Sequence, residues 1–223
     1  MSALNPCSAR RRSPVYREFP DAAYRLIAGQ PQAFTSQQTS REAALFDFSL
    51  MPRFGVRGAA AADYLRDREF EIPEIVNTAV AGDEGRWVAR LGKNEYWVLG
   101  ATGEQDYPVG MIGPSGPAAG CYPVPCDEGR AWFVLRHPEK AAIMAKLCGV
   151  DLRENVFPLG GIVQTSLARV NAVIIHHAVF GENVFSVLSD VASARYLWGA
   201  LDDALQEFGA GAGVLEKIVT PGG

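Results

Sequence analysis

Two adjacent histidines, His176 and His177, are the first residues whose type suggests chemistry. Imidazole is both a metal ligand and a general base near neutral pH. The pair ends a β-type run, and neighbours on a strand point to opposite faces, so the two rings cannot close on one metal ion. Their place before a Gly181-Glu182-Asn183 turn reads as that of a solvated polar pair. Cys121 and Cys126 resemble half of a metal site, but a structural zinc needs four converging ligands. Cys7 and Cys148 bring no matching pair, so the reading is four reduced thiols. Asp47, at a strand end, is a candidate base with no sequence partner to tune it. Asp202, Asp203 and Glu207 fall on the solvated face of a helix. Arg90 and Arg169 each interrupt an apolar strand, where a guanidinium pairs with a carboxylate, meets a partner or lies on an open sheet face. Gly113-Pro-Ser-Gly116 has no strand before it or helix after it, so it is no phosphate cradle. No nucleophile elbow, Walker loop, His-Glu-x-x-His or dinucleotide fingerprint occurs. These side chains alone make no catalytic constellation.

The elements that would position them are clearest over residues 157–209. Residues 161–175 are rich in Val, Ile and Thr, which fit a pleated surface, and residues 184–188 give the returning strand. A helix follows, with Ser189 or Asp190 able to cap it. Ala194, Leu197, Trp198, Leu201, Leu205 and Phe208 recur at helical spacing and must face a sheet, and Gly209 can end the helix. Before this hairpin, residues 131–136 read as a buried strand, His137 opens a helix with Pro138 in its first turn, and Gly149 stops it. Strand, helix, hairpin, helix is the order of a ferredoxin-like β-α-β-β-α unit.

An earlier stretch repeats this order weakly: a strand around Phe54, a helix over 59–67, a strand over 75–80, and a hairpin around Gly92-Lys93-Asn94. The expected fold is therefore α+β, with two ferredoxin-like halves over about 42–100 and 130–209. A Pro/Gly-rich loop, 101–129, joins them. Residues 1–41 read as an extended N-terminal arm and 210–223 as a flexible tail. A net charge of −4 argues against nucleic acid as a partner, and no apolar run is long enough to cross a bilayer. The basic opening around Arg10, Arg11 and Arg12 lacks the apolar core of a secretory signal, so the expected location is cytoplasmic.

Five stretches in order resemble the gamma subunit of heterotetrameric sarcosine oxidase. They are Leu45-Phe-Asp-Phe-Ser-Leu-Met-Pro-Arg-Phe-Gly-Val-Arg-Gly58, Arg90-Leu-Gly-Lys-Asn-Glu-Tyr-Trp-Val-Leu99, Lys146-Leu-Cys-Gly-Val-Asp-Leu152, Gln164-Thr-Ser-Leu-Ala-Arg-Val-Asn171 and Asp190-Val-Ala-Ser-Ala-Arg-Tyr-Leu-Trp198. The equivalent subunit of N-methylglutamate dehydrogenase is similar too. Both resemble the folate-binding domain of glycine-cleavage aminomethyltransferases, whose C-terminal domain and catalytic-aspartate segment have no counterpart here. The resemblance implies a small assembly subunit of a flavoenzyme that oxidatively demethylates an N-methyl amino acid and passes the one-carbon unit to tetrahydrofolate. It implies that FAD, FMN, NAD, zinc and tetrahydrofolate are held by partner alpha, beta and delta subunits, and that this chain binds none of them and is not catalytic by itself. The alternative is a stand-alone folate-binding or aminomethyltransferase-type protein. Arg169 and Asp190, in the last two stretches, are the candidate interface or structural residues. The arm and loop 101–129 are the expected contact surfaces, so that removing residues 1–38 would weaken assembly and leave the core folded.

Overall fold

A computed structural model describes residues 6–9, 11–27, 29–35, 42–100 and 119–215. After two short 3-10 turns, Pro6–Ser8 and Tyr16–Glu18, comes a hairpin, β1 (Ala23–Ile27) and β2 (Gln30–Thr35). The first half follows as β3 (Glu42–Asp47), β4 (Arg53–Arg57), α1 (Ala61–Arg66), β5 (Thr78–Ala81), β6 (Trp87–Gly92) and β7 (Glu95–Leu99). The second half runs through β8 (Tyr122–Val124), α2 (Cys126–Gly129), β9 (Arg130–Leu135), α3 (Lys140–Ala145), β10 (Ile162–Leu167), β11 (Val170–Val179) and β12 (Glu182–Asp190). It closes with α4 (Ala194–Gln206) and β13 (Ala210–Gly213). The architecture is α+β.

Two sheets carry the two halves, in the orders β5-β6-β7-β4-β8 and β10-β11-β12-β9-β3-β13. The first four strands of each follow one pattern, a strand and helix and then a three-strand meander whose last strand pairs with the first. The fifth strands are exchanged. β3 leads directly into β4 but pairs with β9, whereas β8 leads through α2 into β9 but pairs with β4. Each half therefore completes the other's sheet. β8 can approach β4 because Gly58 stands at φ +125, where a Cβ would sit 2.2 Å from the Gly120 carbonyl oxygen. Thr78 of β5 also bridges to Gly161 just before β10, and Gln164 Nε2 of β10 donates to Leu91 O of β6 at 2.6 Å, joining the two sheets.

The buried side chains fall into three layers between these elements. Trp87, Trp97, Leu99, Trp132, Ile175 and Val184 pack between the two sheets. Phe133, Val187, Leu197, Trp198 and Leu201 pack between the six-stranded sheet and α3 and α4. Val56, Tyr64, Leu65 and Val98 pack between the other sheet and α1. The stripe on α4 buries Ala194, Leu197, Trp198, Leu201, Ala204 and Leu205, and Gly209 takes φ +70 just beyond its end.

Three expected boundaries change. The run read as one strand from Gly161 breaks into β10 and β11 at a two-residue turn, Ala168–Arg169, with φ +47 and +70. Positive φ at both positions defines the turn that matches strand twist, normally marked by Asn or Gly. The arm is not extended: besides the β1–β2 hairpin, Val15 and Phe19 are buried, and Phe19 meets Trp198 edge-on at 5.5 Å. Apolar side chains at these positions have a core to enter, so this segment belongs to the folded body. The tail assigned from residue 210 instead supplies β13, parallel to β3, because the Gly and Ala side chains let the backbone lie close against Ala43 and Phe46. Residues 101–118 of the joining loop and 216–223 of the tail lie outside the described residues; the rest of the loop holds β8 and α2.

Candidate functional site

The first motif stretch forms a buried polar hub at the end of β3 and the start of β4. Arg53 is 4% exposed, and its guanidinium is used up on main-chain carbonyls. Nε donates to Cys126 O at 3.0 Å, Nη1 to Ser49 O and Met51 O at 3.1 Å, and Nη2 to Asp127 O at 3.1 Å and Arg130 O at 2.5 Å. One cation thus ties the β3–β4 turn to the α2 segment, across the exchanged strands. Burial lowers the Arg53 pKa to about 10, still far above neutrality. With these donors taken, it is not a receptor for a substrate anion. Asp47, at the end of β3, is the only buried carboxylate among the described residues. It accepts from Ser49 N at 2.9 Å and hydrogen-bonds the Ser13 and Ser49 hydroxyls. Burial raises its pKa, against those hydrogen bonds and the nearby Arg53 charge. Its partners were invisible in the sequence because Ser13 lies in the segment read as an arm.

The histidine pair divides across β11 as the period of two requires, but it is not solvated. His176 and His177 are 1% and 2% exposed. The hairpin continues to Val179 before it turns, and both faces of β11 are covered. His177 enters the space between the sheets, edge-on to Trp87 at 5.4 Å. Trp132 Nε1 donates to Ser186 Oγ at 2.6 Å, and Ser186 Oγ shares a second hydrogen bond with His177 Nε2 at 2.6 Å. The other ring nitrogen, Nδ1, makes no hydrogen bond of ordinary geometry among the described residues. Burial first, and His176 second, push the His177 pKa down to about 3, so the ring stays neutral where a base would have to work. His176 lies on the helix side, donating from Nδ1 to Phe157 O at 2.9 Å and stacked on the Phe157 ring.

The two candidate residues are apart in role. Asp190 is exposed and accepts from Ala192 N at 2.9 Å, capping the turn that leads into α4. Arg169 is the exposed second residue of the β10–β11 turn rather than an interruption within a strand. Arg90 clamps the segment before β5 through Pro73 O at 3.2 Å and holds Lys93 O at 3.0 Å. Asp202 is half-buried and accepts from Ala212 N at 2.9 Å, so it secures β13 instead of facing only solvent. Cys121, Cys126 and Cys148 are buried, and burial pushes Cys126 up to about 12. Among the described residues no group of three or more His, Cys, Asp or Glu side chains could hold a metal ion. No helix among them is long and apolar enough to cross a membrane.

A folate ring would call for a carboxylate able to receive its amino-pyrimidine edge. Asp47 does not offer one: it is buried, and its Oδ1 already accepts from Ser49 N.

Comparison with known proteins identifies the family. The model of the GCVT N-terminal domain matches residues 32–216. The chain belongs to the GCVT N-terminal domain family. Its fold is shared with a chain of heterotetrameric sarcosine oxidase from Corynebacterium sp. U-96, a complex solved with pyrrole 2-carboxylate. That match has a TM-score of 0.66 and 19% identity, over 92% of this chain and 100% of that one. The glycine cleavage system aminomethyltransferase T of Bartonella henselae matches with a TM-score of 0.69 and 17% identity, over 93% of this chain and 60% of that one. The chain thus spans only part of the aminomethyltransferase. No curated protein sequence matches it. The sequence resemblance to the sarcosine oxidase and aminomethyltransferase group stands at the level of family and fold.

Proposed function

We propose that this chain is the small, non-catalytic subunit of a multi-subunit flavoenzyme that oxidatively demethylates an N-methyl amino acid and delivers the one-carbon unit to tetrahydrofolate. The observation that carries this reading is the end-to-end match to one whole chain of a heterotetrameric sarcosine oxidase, against 60% of an aminomethyltransferase. The polar chemistry of the interior supports it. Arg53 is spent on main-chain carbonyls, Asp47 is covered, and His177 is neutral and shut between two sheets. These groups hold the fold together and are not presented to a substrate. In this reading the flavins, nicotinamide dinucleotide, zinc and folate are carried by partner subunits.

The test is affinity isolation of the tagged chain from its native source, with the absorption spectrum of the eluate. A stoichiometric complex containing a large yellow chain is the expected result. A solitary chain that binds tetrahydrofolate saturably without a partner would instead favour the aminomethyltransferase-type reading.

A further inference from the structure

Where the two sheets join, their edge strands β5 and β10 are tied by a short ladder. Thr78 bridges to Gly161, the Ala79 amide donates to Gly160 O at 2.7 Å, and the Ile162 amide donates to Asn77 O at 3.0 Å. A tight turn enters this ladder from each side. Asn77 stands at φ +61, with the Thr78 hydroxyl donating to Ile75 O at 2.7 Å. Gly160 stands at φ +85, with the Gly161 amide donating to Pro158 O at 2.9 Å. Turns are normally built from Gly, Pro, Asn, Asp and Ser, yet aliphatic side chains stand out from these. Ile75, Val76, Val156 and Leu159 are four of the eight large apolar side chains exposed among the described residues. All four lie within five residues of the Thr78–Gly161 bridge. None of them joins any of the three buried layers, so the chain's own folding does not account for their type.

The charges around these side chains are one-sided. Segments 69–77 and 151–161 hold five acidic residues, Glu69, Glu71, Glu74, Asp151 and Glu154, all exposed, and one basic residue, Arg153. Arg153 is paired with Asp151 at 2.5 Å. Arg90 reaches in from β6, but its guanidinium donates to the carbonyls of Pro73, Glu74 and Lys93. Glu71, Glu74 and Glu154 have no ion-pair partner among the described residues. We propose that this seam is the docking surface for a different chain, one that presents aliphatic side chains ringed by lysine and arginine. A second copy of this chain is the wrong occupant, because a two-fold contact would set the same carboxylates against themselves. The proposal rests on the reading of this chain as a subunit and names the face that the larger chain covers.

The test isolates the tagged full chain from its native source in wild-type form and with two pairs of substitutions, Ile75→Asp with Leu159→Asp and Glu74→Lys with Glu154→Lys. Tyr122→Ser, exposed on β8 at the far edge of the five-stranded sheet, is the control. Each pair should lower the larger chain recovered per tagged chain by about tenfold or more, while Tyr122→Ser does not. Thermal melting checks that the variants fold. Should the aspartate pair not fold, the lysine pair, which alters only exposed carboxylates, decides alone. Equal recovery of the larger chain by wild type and folded variants, or an equal loss with Tyr122→Ser, overturns the docking surface and leaves the subunit reading standing. A wild-type chain recovered alone, or only with copies of itself, overturns both.

Discussion

Acid should unfold this protein through His177, and the size of the effect follows from its burial. The unfolded imidazole takes up a proton near 6.5, but the folded ring resists until about 3. Falling pH therefore pulls the chain toward the unfolded state throughout that interval. Each pH unit below about 6 costs up to ~1.4 kcal/mol, with a ceiling of about 5 kcal/mol over the whole shift. That ceiling is comparable to the entire stability of many domains. His177→Phe keeps a flat ring beside Trp87 and removes the titration. It leaves the Ser186 hydroxyl without its imidazole partner, a cost of about 1–3 kcal/mol that does not vary with pH. Urea unfolding of both proteins between pH 7 and 4.5 should show the wild-type advantage shrinking by about 2.5 kcal/mol. Asp47 acts in the opposite sense, its raised pKa favouring the folded state as pH falls, but it is present in both proteins and cancels. A difference that stays constant from pH 7 to 4.5 would refute the assignment of His177 as a buried, neutral ring.

Other perturbations test other parts of the structure. Arg53→Lys replaces a planar fork by a point charge with too few donors for these carbonyls, and thermal melting should show a loss of about 3 kcal/mol or more. Removal of residues 1–38 takes Phe19 from Trp198 and Ser13 from Asp47, so its melting temperature should fall sharply; an unchanged melt would restore the reading of a free arm. Arg169→Gly relieves a positive φ in the β10–β11 turn and should stabilise the chain by about 0.5–1 kcal/mol in chemical denaturation. A loss of stability there would mean that the Arg169 side chain makes a contact of its own.

The fold was legible where apolar period and punctuation agreed. Trp198 and Leu201 on α4, the turn at Gly92-Lys93-Asn94 and the stop at Gly209 each had a local signal, and each lies where that signal places it. Ala168–Arg169 had none, since neither residue is a usual choice for positive φ, and two strands were read as one. The exchange of β3 and β8 was equally hidden, because strand pairing over such separations leaves no local trace. The polar interior was harder still. His176 and His177 could be assigned to opposite faces, but their burial depended on whether both faces were covered, which is a property of the whole fold. Arg53 gave no warning in its apolar surroundings that it would gather carbonyls from a segment more than 70 residues away.

Isolation of the tagged chain from its native source, followed by the absorption spectrum and subunit stoichiometry, decides whether this chain works as a flavoenzyme subunit. The expected result is one copy of this chain bound to a larger flavin-bearing chain, with demethylating activity in the complex and none in the chain alone. A colourless, partner-free chain that itself binds tetrahydrofolate or transfers a one-carbon unit would contradict it.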